Sequence, residues 1–246
     1  QVLDNHMINI NSCNVKVPIT RFNLLIEKLG IDAHQFHDHF ERTSQETPYP
    51  ILFGGKEEVR SKIMVEPNAY AYMKTDRAQE IFSQFKGKIL VPDRIWWDTA
   101  HVIALWSSED TLSNIFYSIR LNVPEQMREK AEKALVLWLN TTWGLLTVLI
   151  NRQETRGRWT RLKMAQWRLL PVLDVSSLNE KTLERLTKVF DAYANKIPKR
   201  IPEQFDLKKL DDVRLGIDVG FLKALNPEID GEVAKKTLLE LYGHIN

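Results

Sequence analysis

Ala134-Leu-Val-Leu-Trp-Leu-Asn-Thr-Thr-Trp-Gly-Leu-Leu146, an arginine-rich link at 151–161, and Leu162-Lys-Met-Ala-Gln-Trp-Arg-Leu-Leu-Pro-Val-Leu-Asp174 form the stretch on which the rest of the chain hangs. Its two ends are apolar at helical spacing. The link sets Arg152, Arg156, Arg158 and Arg161 against Glu154 alone, with Gly157 and Trp159 among them. Exposed guanidinium groups at that density repel one another, so the cluster gains stability only when a polyanion lies across it. A phosphate backbone meets that requirement.

Downstream of this stretch the chain reads as helical. Apolar spacing predicts helices at 178–195, 210–225 and 231–242, parted by Pro198, Pro202 and Pro227. Just upstream, a helix at 125–139 follows Pro124, breaks near Asn140 and resumes to Ile150. Before that the texture changes to strands, at 50–53, 62–65, 88–91, 101–106 and 115–120, with one helix at 76–85. Nearer the start, Phe22, Leu25, Ile26 and Leu29 predict a short helix stopped by Gly30. Asp32 caps a second helix running to about Arg42, with Phe36 and Phe40 on one face. The expectation is an α+β chain. Its strand-rich N-terminal half, 1–122, forms a mixed or antiparallel sheet and carries much of the recognition surface. The helical C-terminal half, 123–246, carries the basic link.

At 246 residues and 43% hydrophobic content, the chain is long and apolar enough to bury a sizeable core. Net charge is only +2, from 34 basic and 32 acidic residues, so a nucleic-acid surface must come from clustering. Cys13 is the single cysteine, which excludes an internal disulfide and a cysteine-based metal site. With no apolar run of membrane-spanning length and no signal-peptide pattern, a cytoplasmic location without membrane contact is expected. Opening on Gln1, the sequence reads as a processed product or an excised piece of a longer protein.

Leu139-Asn140-Thr141-Thr142-Trp143-Gly144-Leu145, then Arg152, Glu154-Thr155-Arg156-Gly157, Trp159, Leu162-Lys163 and Leu170-Pro171-Val172-Leu173-Asp174, resemble the C-terminal target-recognition region of adenine-specific DNA methyltransferases of the restriction-modification type. That family's pattern has Ser where Thr141 stands and a second Pro where Leu173 stands. The resemblance covers this core and, more loosely, the strand-rich region before it; the tail after about Lys196 is not covered. It implies binding of double-stranded DNA through phosphate contacts from Arg152, Arg156, Arg158, Arg161 and Lys163, and no catalysis by this chain alone. It also implies a separate methyltransferase catalytic domain, in the same longer chain or complex, which would hold S-adenosylmethionine. It implies no cofactor for this chain itself.

Other constellations carry weaker signals. In Arg94-Ile95-Trp96-Trp97-Asp98, successive strand residues point to opposite faces, so either one tryptophan is exposed to contact a base or sugar beside Arg94 or both pack under the helical half. Arg94 and Trp97 are the candidate contacts, with Trp159 as a stacking face in the link. Asn140 to Gly144 either cap the following helix or hold a phosphate at its N-terminus, and the cap accounts for the residues without a ligand. His34, His37 and Asp38 raise a metal-dependent nuclease, but His39 turns away from the face that His34 and His37 share, and no metal is expected. Catalytic motifs are missing. Glu66-Pro67-Asn68-Ala69-Tyr70 lacks the consecutive prolines of the methyltransferase base-gripping loop, and Gly54-Gly55 is too short to cradle a cofactor. The alternative class is a protein-interaction module docking through the helical part, which an exposed apolar patch at 210–242 would favour.

Overall fold

The computed structural model describes residues 6–54, 57–152 and 159–245. In the first half, β1 (His6–Ile10), β2 (Val15–Arg21) and β3 (Ile26–Leu29) precede α1 (Ala33–His39), β4 (Phe40–Thr43) and β5 (Pro50–Leu52). Then come β6 (Met64–Val65), β7 (Ala69–Met73), α2 (Ala78–Phe85), β8 (Gly87–Pro92), β9 (Arg94–Trp96), β10 (Leu105–Ser113) and β11 (Phe116–Leu121). The second half holds α3 (Glu125–Leu139), α4 (Thr142–Ile150), β12 (Trp159–Arg161), α5 (Met164–Leu169), β13 (Pro171–Leu173), α6 (Glu180–Tyr193), α7 (Asp212–Leu225) and α8 (Gly231–Ile245). The chain is α+β, strand-rich first and helical later, and its sheets are mixed and antiparallel.

The main sheet runs in the order β3, β11, β8, β10, β5, β7, β4, with β6 also paired to β10. β10 pairs in parallel with β5 and β6, and the remaining ladders are antiparallel. At its centre β8 buries Ile89, Leu90 and Val91 completely, as a strand covered on both faces must. The cover on one side is α3, whose last two turns bury Ala134, Leu135, Val136, Leu137, Trp138 and Leu139. α6 packs on α3, and α7 on α6. The principal core takes side chains from both halves, while Phe36, Phe40, Ala71, Phe82 and Leu112 head a second cluster under α1 and α2.

The boundary between 122 and 123 separates β11 from α3 in the chain but does not separate two cores. β13 closes a small sheet with β2 and β1, and β12 pairs with β9. Two strands of the later half thus complete sheets begun by the earlier one.

Most expected elements form where the pattern places them; three do not. The helix expected over 21–29 is a 3-10 turn at Phe22–Leu24 followed by β3. Its apolar spacing is real, since Phe22, Leu25 and Leu29 are buried. The backbone, however, is claimed by distant partners: Phe22 N–H donates to Leu170 O at 3.0 Å, and β3 pairs with β11. α1 starts at the Asp32 capping box but ends at His39, because Phe40 enters β4. The strand expected at 101–106 begins only at Leu105 and runs on to Ser113. Residues 102–104 are buried without a ladder, and Asn140 satisfies them instead. Its Oδ1 accepts from Ile103 N–H and its Nδ2 donates to Ala104 O, both at 2.8 Å.

Among the described residues no single helix is long and apolar enough to cross a membrane; α3 and α4 have the length only together and bend by 69° at their junction.

Candidate nucleic-acid interface

β9 and β12 form an antiparallel two-stranded ribbon with Arg94 opposite Arg161, Ile95 opposite Thr160 and Trp96 opposite Trp159. Strand alternation sorts these six residues into two faces. Ile95 and Thr160 are buried, and Arg94, Trp96, Trp159 and Arg161 occupy the other face. There the two indoles lie 6.1 Å apart at 39°, and the Arg94 guanidinium stands 5.3 Å from the Trp159 ring centre. Trp96 is 47% exposed. An exposed tryptophan in such a pair leaves a flat apolar surface open beside the rung that carries the two arginines.

The ribbon is fastened from below. Leu162 N–H donates to Asp93 O at 2.9 Å, and the buried Trp167 of α5 donates its indole N–H to Pro92 O at 2.9 Å. Arg60 reaches under β9 to donate to Arg94 O at 2.7 Å, with its guanidinium 5.0 Å from the Phe116 ring centre. Burial lowers the Arg60 pKa to about 10, which leaves it cationic at neutral pH. Its Nε is buried with no hydrogen-bond partner among the described residues.

Between the ribbon, α1 and β11 opens a cleft of roughly 710 Å³. Arg60, Arg94, Arg161 and Lys163 line it against the carboxylates Asp32 and Asp93. Asp32 is occupied in capping α1, where its side chain accepts from Gln35 N–H at 2.9 Å. The cleft therefore carries an excess of positive charge beside an aromatic platform, a combination suited to a ligand with anionic and flat aromatic parts.

The residues singled out from sequence fall into three groups. Arg94, Trp159 and Arg161 come together on the ribbon, and Lys163 follows at the N-cap of α5, lining the same cleft. Arg152 is exposed just beyond the end of α4, whereas Arg156 and Arg158 lie outside the described residues. Trp97 requires a correction. It lies past the end of β9, packs half-buried against the core and donates its indole N–H to Thr160 Oγ1 at 2.7 Å. The outward tryptophan is Trp96. The alternation that places Ile95 inside puts Trp96 on Arg94's side, and that signal was present in the sequence. Asp93, Arg60 and Tyr117, which support the site, carried no sequence signal because they meet it only through contacts between residues far apart in the chain.

The Asn140-Thr141-Thr142-Trp143-Gly144 segment is a helix cap and not a surface for phosphate. Thr141 Oγ1 accepts from Gly144 N–H at 3.2 Å and donates to Trp138 O at 2.7 Å. Thr142 donates both its N–H and its hydroxyl to Asp218, to which Tyr242 also donates at 2.7 Å. Arg214 donates to Asn140 O and to Gln204 Oε1. Asn140, Thr141, Thr142 and Asp218 are all buried, so this network fastens α4 to α7 and α8. Burial pushes the Asp218 carboxyl up, and Arg214 with the donated hydrogen bonds pulls it back. Gly144 is required here because a Cβ would stand 2.1 Å from Trp138 O.

Among the described residues no three His, Cys, Asp or Glu side chains are placed to hold a metal ion. His39 instead pairs with Thr75 Oγ1 at 2.8 Å, and His37 packs edge-on against Phe36 and Phe53. Of the large apolar side chains at 210–242, Val233 alone is exposed among the described residues. Compared with known proteins, the chain matches no family model and no curated protein.

Proposed function

We propose that this chain binds double-stranded DNA as the target-recognition part of an adenine-specific DNA methyltransferase or restriction-modification enzyme. The observation that carries the reading is the ribbon face, with Arg94, Trp96, Trp159 and Arg161 on one side of a two-stranded antiparallel pair that continues directly from the basic link. A two-stranded ribbon fits the major groove of B-DNA. Arg152, Lys163 and the Arg156 and Arg158 of the link then meet phosphates beside the groove and fix the register without reading sequence. The resemblance of 139–174 to methyltransferase recognition regions supports the same reading. Chemistry on the base belongs in this scheme to a separate catalytic domain that holds S-adenosylmethionine and receives the flipped adenine. This chain supplies the grip and carries no cofactor.

Fluorescence anisotropy of a random-sequence duplex at low and moderate salt tests the proposal. The parent is expected to bind at low salt and to lose affinity steeply as salt rises, since each phosphate contact contributes a slope of roughly −0.9 in log K against log salt. An Arg156→Ala, Arg158→Ala, Arg161→Ala variant is expected to bind more weakly with a shallower slope. A folded parent that binds no duplex at low salt, or binds without salt dependence, refutes DNA recognition as a property of this chain.

A further inference from the structure

Arg94 and Arg161 face each other across the ribbon, and both turn their Nε toward one carboxylate. Arg161 Nε lies 3.2 Å from Asp93 Oδ1, and Arg94 Nε lies 3.5 Å from Asp93 Oδ2. The Tyr117 hydroxyl donates to the same Oδ1 at 3.0 Å. Burial, and then the Asp93 charge, hold that phenol protonated, so it remains a donor. Asp93 is itself fixed through its backbone, where its carbonyl accepts from Leu162 N–H. Arg161 is thereby hydrogen-bonded to Asp93 through its Nε and Arg94 is ion-paired to it through its own, while the terminal nitrogens of both make no hydrogen bond to a described residue.

A guanidinium fixed in this way presents a planar pair of donors in a set direction, which suits a ligand with two adjacent acceptors. The O6/N7 edge of guanine in the major groove and a backbone phosphate both offer that pair. The position of Asp93 between the two guanidinium groups favours the base, because its charge repels the full charge of a phosphate more strongly than the partial charges on the edge of a neutral base.

On the DNA reading given above, we infer that the target sequence contains a guanine whose O6/N7 edge is read by the Arg94 and Arg161 forks, with Asp93 as the positioning residue that orients both. The inference adds the identity of a base to the proposed function and depends on it.

The test begins by sequencing the duplexes that the full chain retains from a randomised library. Each enriched guanine is then replaced in turn by 7-deazaguanine, which lacks the N7 acceptor, or by inosine, which lacks only the minor-groove amine. At one position 7-deazaguanine is expected to weaken binding roughly tenfold or more, with inosine nearly silent there. Asp93→Asn keeps the side chain's shape and removes its charge. It is expected to shrink that discrimination to below about threefold while affinity for unrelated duplex holds or rises, a split that a merely structural role does not produce. Should Asp93→Asn fail to fold, the 7-deazaguanine series on the parent decides alone. Salt-sensitive binding with no guanine preference, or with 7-deazaguanine silent everywhere, overturns the inference and leaves the DNA reading standing. Failure to retain any duplex removes both.

Discussion

Glu132 shows how far one buried group can reach in this protein. It lies in α3, 2% exposed, and burial raises its pKa to about 7, with the Leu121 amide only partly offsetting the effect. Unfolded, the same carboxyl returns to the ordinary value of 4.5. Between those two values the folded chain holds a proton that the unfolded chain has released, so stability falls as pH rises from about 4.5 to about 7. The full cost, on the order of 3 kcal/mol, is present above the folded pKa and absent below the unfolded one. Glu132→Gln removes the titration. Urea denaturation at pH 5 and pH 8 is expected to find the variant close to the parent at the lower pH and more stable at the higher; an equal pH dependence in both refutes this account of Glu132. Nothing in the sequence marked Glu132, because only its position on α3 makes it a buried carboxylate. Asn140 and Thr141 were legible as a cap, since the chemistry of capping is local. Arg214, the partner of Asn140, and Asp218, the partner of Thr142, were not, lying 74 and 76 residues away in the chain.

At the level of elements, the ribbon separates two adjacent tryptophans by role. Trp96 contributes its ring to the outer face, while Trp97 braces β12 from behind through Thr160. Trp96→Ala is expected to shift stability by no more than about 0.5 kcal/mol, as exposed substitutions do, and to weaken duplex binding roughly tenfold. Trp97→Ala is expected to cost about 2 kcal/mol, less than the ~3–5 of a fully buried tryptophan, since its ring is only half-buried. Denaturation and anisotropy on both variants check the division; a Trp96→Ala variant that unfolds early yet binds normally when folded reverses it. Alternation over Arg94, Ile95 and Trp96 was readable in the sequence, but a three-residue strand gives a weak period. The ribbon's partner strand lies 63 residues downstream of Trp97 at Thr160. The same reason explains the failed helix at 21–29, where a 3-10 turn and a strand reproduce helical spacing while their hydrogen bonds go to β11 and Leu170. α3, α4 and α6 were legible because their bonds are internal, with Thr141 and Asn179 capping the last two from the adjacent position.

Taken whole, the molecule uses its later half to complete its earlier one. β13 closes the β1–β2 sheet, β12 makes the ribbon with β9, and the stretch 134–174 supplies both of those strands together with α3's buried end, α4 and α5. The proposed recognition surface accordingly belongs to neither half alone. Among the described residues its proposed DNA contacts run from the ribbon to Lys163, so the face proposed to meet a duplex is specified by position and not only by charge. Ultraviolet crosslinking of the full chain to a random-sequence duplex carrying 5-iodouracil, followed by peptide mapping, tests this most directly. The account predicts photoadducts on peptides that contain Trp96 or Trp159. Adducts confined to the helices at 180–245, in a mixture where anisotropy shows the complex to have formed, would contradict it.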